Sequence, residues 1–270
     1  MSMQRLVISP TQCQDQGIVL TDAQQHYLIR VLRLKKGDRF IAMDGEGGWY
    51  VSELEGDLTQ AKIVASEHIQ TELPKQVTLM AAMPKGSGFE QICLMATELG
   101  VTRIVPLKSD RTLLNPSPQK VQRWRRITQE AAEQSEREVV PKILDPVDFC
   151  DSLQLPQTLE AYRYICVARG KAPHLLNCLL DLRLGLDTGQ TDPAQHPDIV
   201  IATGPEGGWT TQELEQATAA GFIAVSLGSR ILRAITAPIV TLSIVAAVAE
   251  SSVKAKGDNF ALTYDNMIDN

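Results

Sequence analysis

DIVIATGPEGGWTTQELEQATAAGFIAVSLGSRILR, residues 198–233, reads strand, glycine loop, helix, strand, glycine loop. DIVIAT has the short, β-branched character of a buried strand, Thr210 with Glu213 forms a capping box that opens a helix, and Gly221 closes it. FIAVSLG repeats the strand signal, and the next apolar run, Ala234 to Ala249, predicts a helix buried in a core. Glycines at 204, 207 and 208 permit positive φ or close approach of backbone to a ligand. The Lys-Ser/Thr that completes a phosphate-binding P-loop is missing, and so is the GxGxxG of a dinucleotide fold. A flat ligand gripped by backbone is the better reading.

Upstream of this stretch the same grammar repeats. From Gln76 onward VTLMAAM, RIVPL and YRYICVAR read as strands, and FEQICLMATELG, Gln119 to Glu138 and APHLLNCLLDL read as helices. That alternation predicts βα units and a mostly parallel sheet. GLDTGQTDPAQHP (185–197) is a polar, turn-rich connection. Before residue 73 the pattern differs: RLVI, RFIAM, WYVSEL and AKIVASEHI are short strand signals separated by turns, which predicts a small β-barrel. Among them HYLIRVLR predicts a helix with Leu28, Val31 and Leu32 on one face and His26, Arg30 and Arg33 on the other, with Gly37 at the exit turn. DGEGGWY (44–50) lies between two alternating runs and is expected to be a hairpin loop. The expected organisation is a barrel over 1–72, an α/β domain over 73–255 and a tail over 256–270.

Composition bounds the class. With 270 residues, 44% of them hydrophobic, a packed core is affordable, and the longest apolar run is short of the ~20 residues of a membrane span. No secretory pattern is visible at the start, and the five cysteines show no CxxC pair, so reduced thiols in a cytoplasmic protein are expected. Net charge is −6, but it is uneven: residues 1–72 carry −3, residues 73–142 carry +4 and residues 143–270 carry −7. Any contact with nucleic acid would be a patch, and two clusters suggest themselves: Arg30, Arg33, Lys35, Lys36 and Arg39, then Lys120, Arg123, Arg125 and Arg126. The second cluster occupies the first half of the long helix, with acids in its second half, the order the helix dipole disfavours. Ion pairs across the fold or a phosphate-facing patch explain that equally well.

The four histidines (26, 68, 174, 196) have no metal-ligand or triad spacing, so neither a metal nor a covalent nucleophile is expected. Glu206, in a glycine loop ahead of a helix, is either a general base or an acceptor of backbone N–H groups. Arg230 and Arg233 precede the apolar helix, where a guanidinium neutralises a developing anion or grips a phosphate, or joins an ordinary ion pair.

Taken together, HYLIRVLRLKKGD, KGSGFEQICLMATELGVTRIVPLKSDR, EAAEQSER, TGPEGGW and LGSRILR strongly resemble the bacterial 16S ribosomal RNA uridine N3-methyltransferases of the SPOUT superfamily, over about residues 1–250. The resemblance implies a PUA-like N-terminal β-barrel and a C-terminal α/β domain knotted as a trefoil, assembled as a homodimer. It also implies S-adenosylmethionine as the ligand, held without a metal by Val167 and Ala168, by Thr203, Gly204, Pro205, Glu206, Gly207 and Gly208, and by Ser226, Leu227, Gly228, Ile231 and Leu232, the aliphatic members forming apolar walls. RNA contacts are then expected from His26, Arg30, Arg33, Lys85, Arg111, Arg123 and Arg137, the partner being 16S rRNA in the 30S subunit or its precursor.

Under that resemblance Arg233 is the catalytic candidate, stabilising the anion left when uridine N3 loses its proton. N3 lies on the Watson–Crick edge, so the base must be unpaired or extruded. Two departures from the family pattern stand out: Ala234 and Ile235 replace Thr-Glu, and Met95 replaces Lys. They motivate two rival readings, an RNA-binding homologue that has lost turnover and a methyltransferase for another RNA base.

Overall fold

A computed structural model describes residues 3–14, 17–56, 58–155, 161–186 and 198–253, so most of the polar connection at 185–197, His196 and the tail lie outside the described residues. Two sheets organise the chain. In the first, β1 (Arg5–Val7), β2 (Cys13–Gln14), β3 (Gly17–Val19), β4 (Arg39–Met43), β5 (Trp49–Leu54) and β6 (Gln60–Glu67) pair in the order β1-β4-β5-β6-β3-β2. Every pairing is antiparallel except β1 with β4. The period of two is visible in β4: Phe40 and Ala42 join a core with Leu6, Ile18, Leu28 and Leu54, whereas Ile41 and Met43 pack with Trp49 and Val51. Asp44 shapes the β4–β5 hairpin loop, its Oδ1 accepting from the N–H groups of Glu46 and Gly48 at 2.8 Å each.

The basic helix departs from expectation. α1 (Asp22–His26) runs into a π turn at Tyr27–Val31, and Arg33 comes next at φ 59°. The wider turn rotates the residues beyond it, so Leu28 is buried but Val31 is 57% exposed. His26, Arg30 and Arg33 are all exposed, yet they do not share one helical face.

The second sheet contains β7 (Val77–Ala82), β8 (Arg103–Lys108), β9 (Lys142–Ile143), β10 (Val147–Asp148), β11 (Ala161–Cys166), β12 (Asp198–Thr203) and β13 (Ile223–Val225). Its order is β10-β8-β7-β12-β11-β13, with β9 also on β8, and all of these pairs are parallel. β7 is buried along its whole length because both faces are covered. Val77, Leu79 and Ala81 pack into a layer with Ile92, Trp124, Leu175 and Leu242, from α2 (Gly88–Glu98), α3 (Pro118–Gln134), α5 (Leu175–Leu186) and α7 (Thr236–Val253). Met80 and Ala82 face the opposite layer, with Phe149 of α4 (Phe149–Ser152) and Ala217 of α6 (Thr211–Ala219). Trp124 and Phe89 anchor the first layer, their ring centroids 4.4 Å apart.

Two helices differ from their sequence expectation. α7 is a core helix along one face only, burying Thr241, Leu242 and Val245 while Ser243 and Ala247 stay exposed. α3 ends at Gln134 instead of Glu138, because Glu136 turns the backbone left-handed at φ 61°. The stretch from 133 to 140 forms a seam to the first sheet. Glu133 Oε1 accepts from Val7 N–H at 2.7 Å, Arg5 pairs with Glu136, Glu138 Oε1 accepts from Ile69 N–H at 2.5 Å, and Val140 N–H donates to Gly45 O at 3.0 Å.

Burial pushes the Glu133 carboxyl up, against the hydrogen bonds from Val7 and Gln129. A carboxyl raised in the folded state favours folding fully below its unfolded value, and that contribution is lost as pH rises through the folded one. Glu133→Gln keeps an acceptor for Val7 without a charge. Thermal unfolding is expected to show the variant more stable than the parent at pH 8, with the difference shrinking as the pH falls through the carboxylate range. A constant difference across pH excludes the mechanism.

Candidate active site

Because the strands of the second sheet are parallel, their C-terminal ends lie along one edge. From β7 the chain proceeds outward to β8 and β10, whereas β12 connects to β11 and β13 on the other side, so the order reverses between β7 and β12. Ligands of open α/β sheets bind at such a switch point, outside the strand C-termini. Here the loops after β7 and β8 meet the loop after β12: Lys85 N–H donates to Glu206 Oε1 at 3.1 Å, and the Arg111 guanidinium donates to Gly207 O at 2.5 Å.

The TGPEGG loop is held from inside the fold. Trp209 packs on Phe149 with centroids 4.9 Å apart, and its indole Nε1 donates to Cys166 O at 3.0 Å, tying the loop to the end of β11. A Cβ on Gly204 would stand 3.1 Å from that indole, so this glycine makes room for Trp209; a valine there would displace Trp209 before it met any ligand. Gly208 is at φ 70° with open space where a side chain would project, which suits close approach of backbone to a ligand. Thr203 is 1% exposed and its Oγ1 is buried without a hydrogen-bond partner, a polar atom the fold leaves unsatisfied at this edge. Glu206 is exposed and accepts from the neighbouring Lys85 loop, while the cap of α6 is supplied by Thr210 and Glu213.

The second loop is bonded to the segment just after β11. Val167 N–H donates to Val225 O at 2.9 Å, Ser226 N–H to Pro173 O at 2.8 Å, and Leu175 N–H to Ser226 O at 3.0 Å. Ser226 Oγ accepts from Gly228 N–H at 3.1 Å, and Gly228 is at φ 112°. Val167, Ala168, Ser226, Leu227 and Gly228 are thereby brought together. Ile231 is not a wall within this chain, since it is 67% exposed, whereas Leu232 is half-buried. Arg233 O accepts from Thr236 and Ala237 N–H at 2.9 and 3.0 Å, fixing the start of α7 and leaving the guanidinium exposed. Ile235 packs into the first layer, its Cδ1 2.8 Å from where a Cβ on Gly88 would be; this contact, which no motif in the sequence signals, sets the start of α2 against the start of α7. Cys166 lies at the same edge, but burial pushes its thiol up to about 12, so it is no nucleophile at neutral pH.

The basic residues divide sharply. Arg137 is 2% exposed, its guanidinium pairing with Glu72 and donating to Thr97 O and Val101 O at 2.9 and 2.8 Å. The expectation that it meets RNA is corrected: its donors are consumed in a buried anchor. On α3, Arg123 pairs with Glu90 at 3.1 Å, Arg125 with Asp145 at 2.9 Å and Arg126 with Glu130 at 3.5 Å, while Lys120 Nζ donates to Gly86 O at 2.8 Å. These partners account for the inverted charge order along the helix. Lys85 is exposed beside the switch point.

A model described as an RNA methyltransferase domain matches residues 71–246 of this chain, and one described as an RNA methyltransferase PUA domain matches residues 20–64. The chain is 47% identical over 249 residues to the ribosomal RNA small subunit methyltransferase E of Synechocystis sp., covering 92% of this chain and 78% of that protein. It is 29% identical over 246 residues to the protein of the same name from Bacillus subtilis, covering 88% and 92% respectively. Among solved structures, the ribosomal RNA small subunit methyltransferase E of Neisseria gonorrhoeae, bound to S-adenosyl methionine, superposes with a TM-score of 0.77 at 29% identity over 92% of this chain and 98% of that one.

Proposed function

The chain belongs to the ribosomal RNA small subunit methyltransferase E family, and from that premise we propose that it transfers a methyl group from S-adenosylmethionine to N3 of a uridine in 16S rRNA. The carrying observation is the orphaned Thr203 Oγ1 that opens the glycine loop together with the open left-handed Gly208 within it, at the switch point of a parallel sheet: an unsatisfied polar atom and accessible backbone fit a flat, polar heterocycle. Thr203 to Gly208, Val167, Ala168, Ser226, Leu227, Gly228 and Leu232 would hold the cofactor, and Ile231 would join them by losing its exposure. When bound, the cofactor supplies an electrophilic methyl group. Everything else falls to this chain's residues. Arg233 offers a preorganised positive charge to the uracil oxygens as N3–H ionises, acting by charge because a guanidinium stays protonated. Two carboxylates stand on the converging loops: Glu206, with one oxygen occupied by Lys85 N–H, and Asp110, whose Oδ2 accepts from Thr210 Oγ1 at 3.1 Å.

The same reading assigns residues 1–72 to RNA holding, through His26, Arg30 and Arg33, and residues 73–255 to chemistry, with Lys85 and Arg111 adding RNA contacts from that second unit and 16S rRNA in the 30S subunit or its precursor as the partner. It includes a cytoplasmic homodimer. The exposed strip of α7, with Ser243 and Ala247 small enough for a second helix to approach, supports the dimer. A trefoil knot is part of the reading too: after edge strand β13 the chain returns across the sheet to pack α7 on α2, α5 and β12. Among the described residues no helix is long and apolar enough to cross a membrane.

Titration calorimetry with S-adenosylmethionine in the presence of a chelator tests the cofactor, with saturable heat expected; silence at millimolar ligand excludes the enzymatic reading. Mass spectrometry of nucleosides from 16S rRNA of cells lacking the gene tests the target. Loss of 3-methyluridine is expected, and loss of another methylated base instead would reassign it.

A further inference from the structure

We propose that the loop after β11 is an RNA-backbone grip: Arg169 and Lys171, with Arg230 of the neighbouring loop, hold the phosphates that flank the nucleotide presented to Arg233. This deepens the methyltransferase reading and rests on it. The proposal comes from an imbalance of charge. In a chain of net charge −6, the segments 164–180 and 222–249 contain Arg169, Lys171, Arg230 and Arg233 and no aspartate or glutamate. All four cations are exposed, and among the described residues none of them forms an ion pair.

Sequence distance separates the two segments by some fifty residues, but backbone bonding makes them one surface. The bonds from Val167 to Val225, from Ser226 to Pro173 and from Leu175 to Ser226 clamp the 167–175 loop onto the 225–228 loop, and His174 bridges Ser226 in parallel register. Gly170 at φ 105° and Gly228 at φ 112°, neither with any atom near its missing side chain, give both loops the sharp turns that carry the cations outward. The surface lies at the strand C-termini, on the same edge as Thr203, Gly208 and Arg233.

The contrast with α3 chooses the location. There each of Lys120, Arg123, Arg125 and Arg126 already has an acidic or carbonyl partner, so a phosphate arriving must first break it. A cation without a carboxylate neighbour binds phosphate with no such exchange, and each phosphate neutralised releases a counterion. The ligand that four unpaired cations along a bonded loop pair fit is a polyanionic strand. A single-stranded or extruded segment is favoured, since the base must leave its stack to reach the edge.

The experiment uses the full chain, with three proteins compared: the parent, Arg169→Ala/Lys171→Ala, and Arg123→Ala/Arg126→Ala. Binding to 30S-derived RNA is measured across a salt series, alongside S-adenosylmethionine affinity and steady-state methyl transfer. The loop variant is expected to raise KM for RNA about 10-fold, to flatten the salt dependence by about 1.4 to 1.8 in slope for two lost phosphate contacts, and to leave cofactor affinity unchanged. The α3 variant is expected to keep the parental slope. A loop variant with parental KM and slope, or an effect confined to the α3 variant, overturns the proposal while leaving the enzymatic reading intact. A parent that binds cofactor but neither binds nor methylates RNA overturns both. A fourth protein, Arg169→Lys/Lys171→Arg, is expected to keep the parental slope, because the grip reads charge.

Discussion

Arg233→Ala is expected to lower the rate of methyl transfer by about 100-fold or more while S-adenosylmethionine affinity stays within a factor of about two, the pattern of an interaction made only in the transition state. The structure supports a clean substitution. The Arg233 carbonyl, which an alanine retains, receives the two hydrogen bonds that start α7, and the guanidinium has no ion-pair partner among the described residues whose loss would confuse the result. Single-turnover kinetics with cofactor and RNA both saturating isolates the step. A rate within about threefold of the parent would remove Arg233 from the chemistry. The companion change Ala234→Thr/Ile235→Glu, which restores the family residues, is expected to bring no gain, since Ile235 is part of the apolar layer against Gly88 and Ala234 is 6% exposed.

The largest stability effect belongs to Arg137. Its replacement by alanine strands the Glu72 carboxylate and two buried carbonyls, those of Thr97 and Val101, and breaking such a pair from one side costs about 3 kcal/mol or more. Equilibrium denaturation measures the loss directly. Arg137→Lys is expected to recover little of it, because one ammonium cannot serve the carboxylate and both carbonyls with the fork geometry of a guanidinium. A cost under about 1 kcal/mol would mean that the anchor contributes little beyond the packing around it.

Arg137 also marks where sequence reading stopped. EAAEQSER was legible as a motif, but a motif does not say which of its charges face water. The turn at Glu136 is a single left-handed residue that helix periodicity does not register, and it sends Arg137 inward. The longer strands and helices around the second sheet were legible because β7, β8 and β12 are largely apolar runs and caps such as the Thr210–Glu213 box open their helices, whereas the two-residue strands β9 and β10 and the four-residue α4 are too short to show a period. The π turn at Tyr27–Val31 was not, since no residue in HYLIRVLR announces an extra residue in the helix. At the site, the glycine loops were legible by composition, yet Gly204 turned out to accommodate Trp209. That contact depends on a residue five positions away folding back, which spacing cannot reveal. Arg169 and Lys171, without ion pairs among the described residues, look unremarkable in the sequence beside the denser cluster on α3, and only the pairing of that cluster makes them stand out.

The seam at 133–140 joins the two sheets through a carboxylate on Val7, an ion pair on Arg5, a carboxylate on Ile69 and a backbone bond to the β4–β5 hairpin. Four separate ties along one short stretch oppose a hinge at that joint. With all four kept, the two halves would be set like the jaws of a caliper at one opening. A strand held on Arg30 and Arg33 would bring to Arg233 only the nucleotide lying at that set span, so the choice of base would be made by length before any base edge is touched.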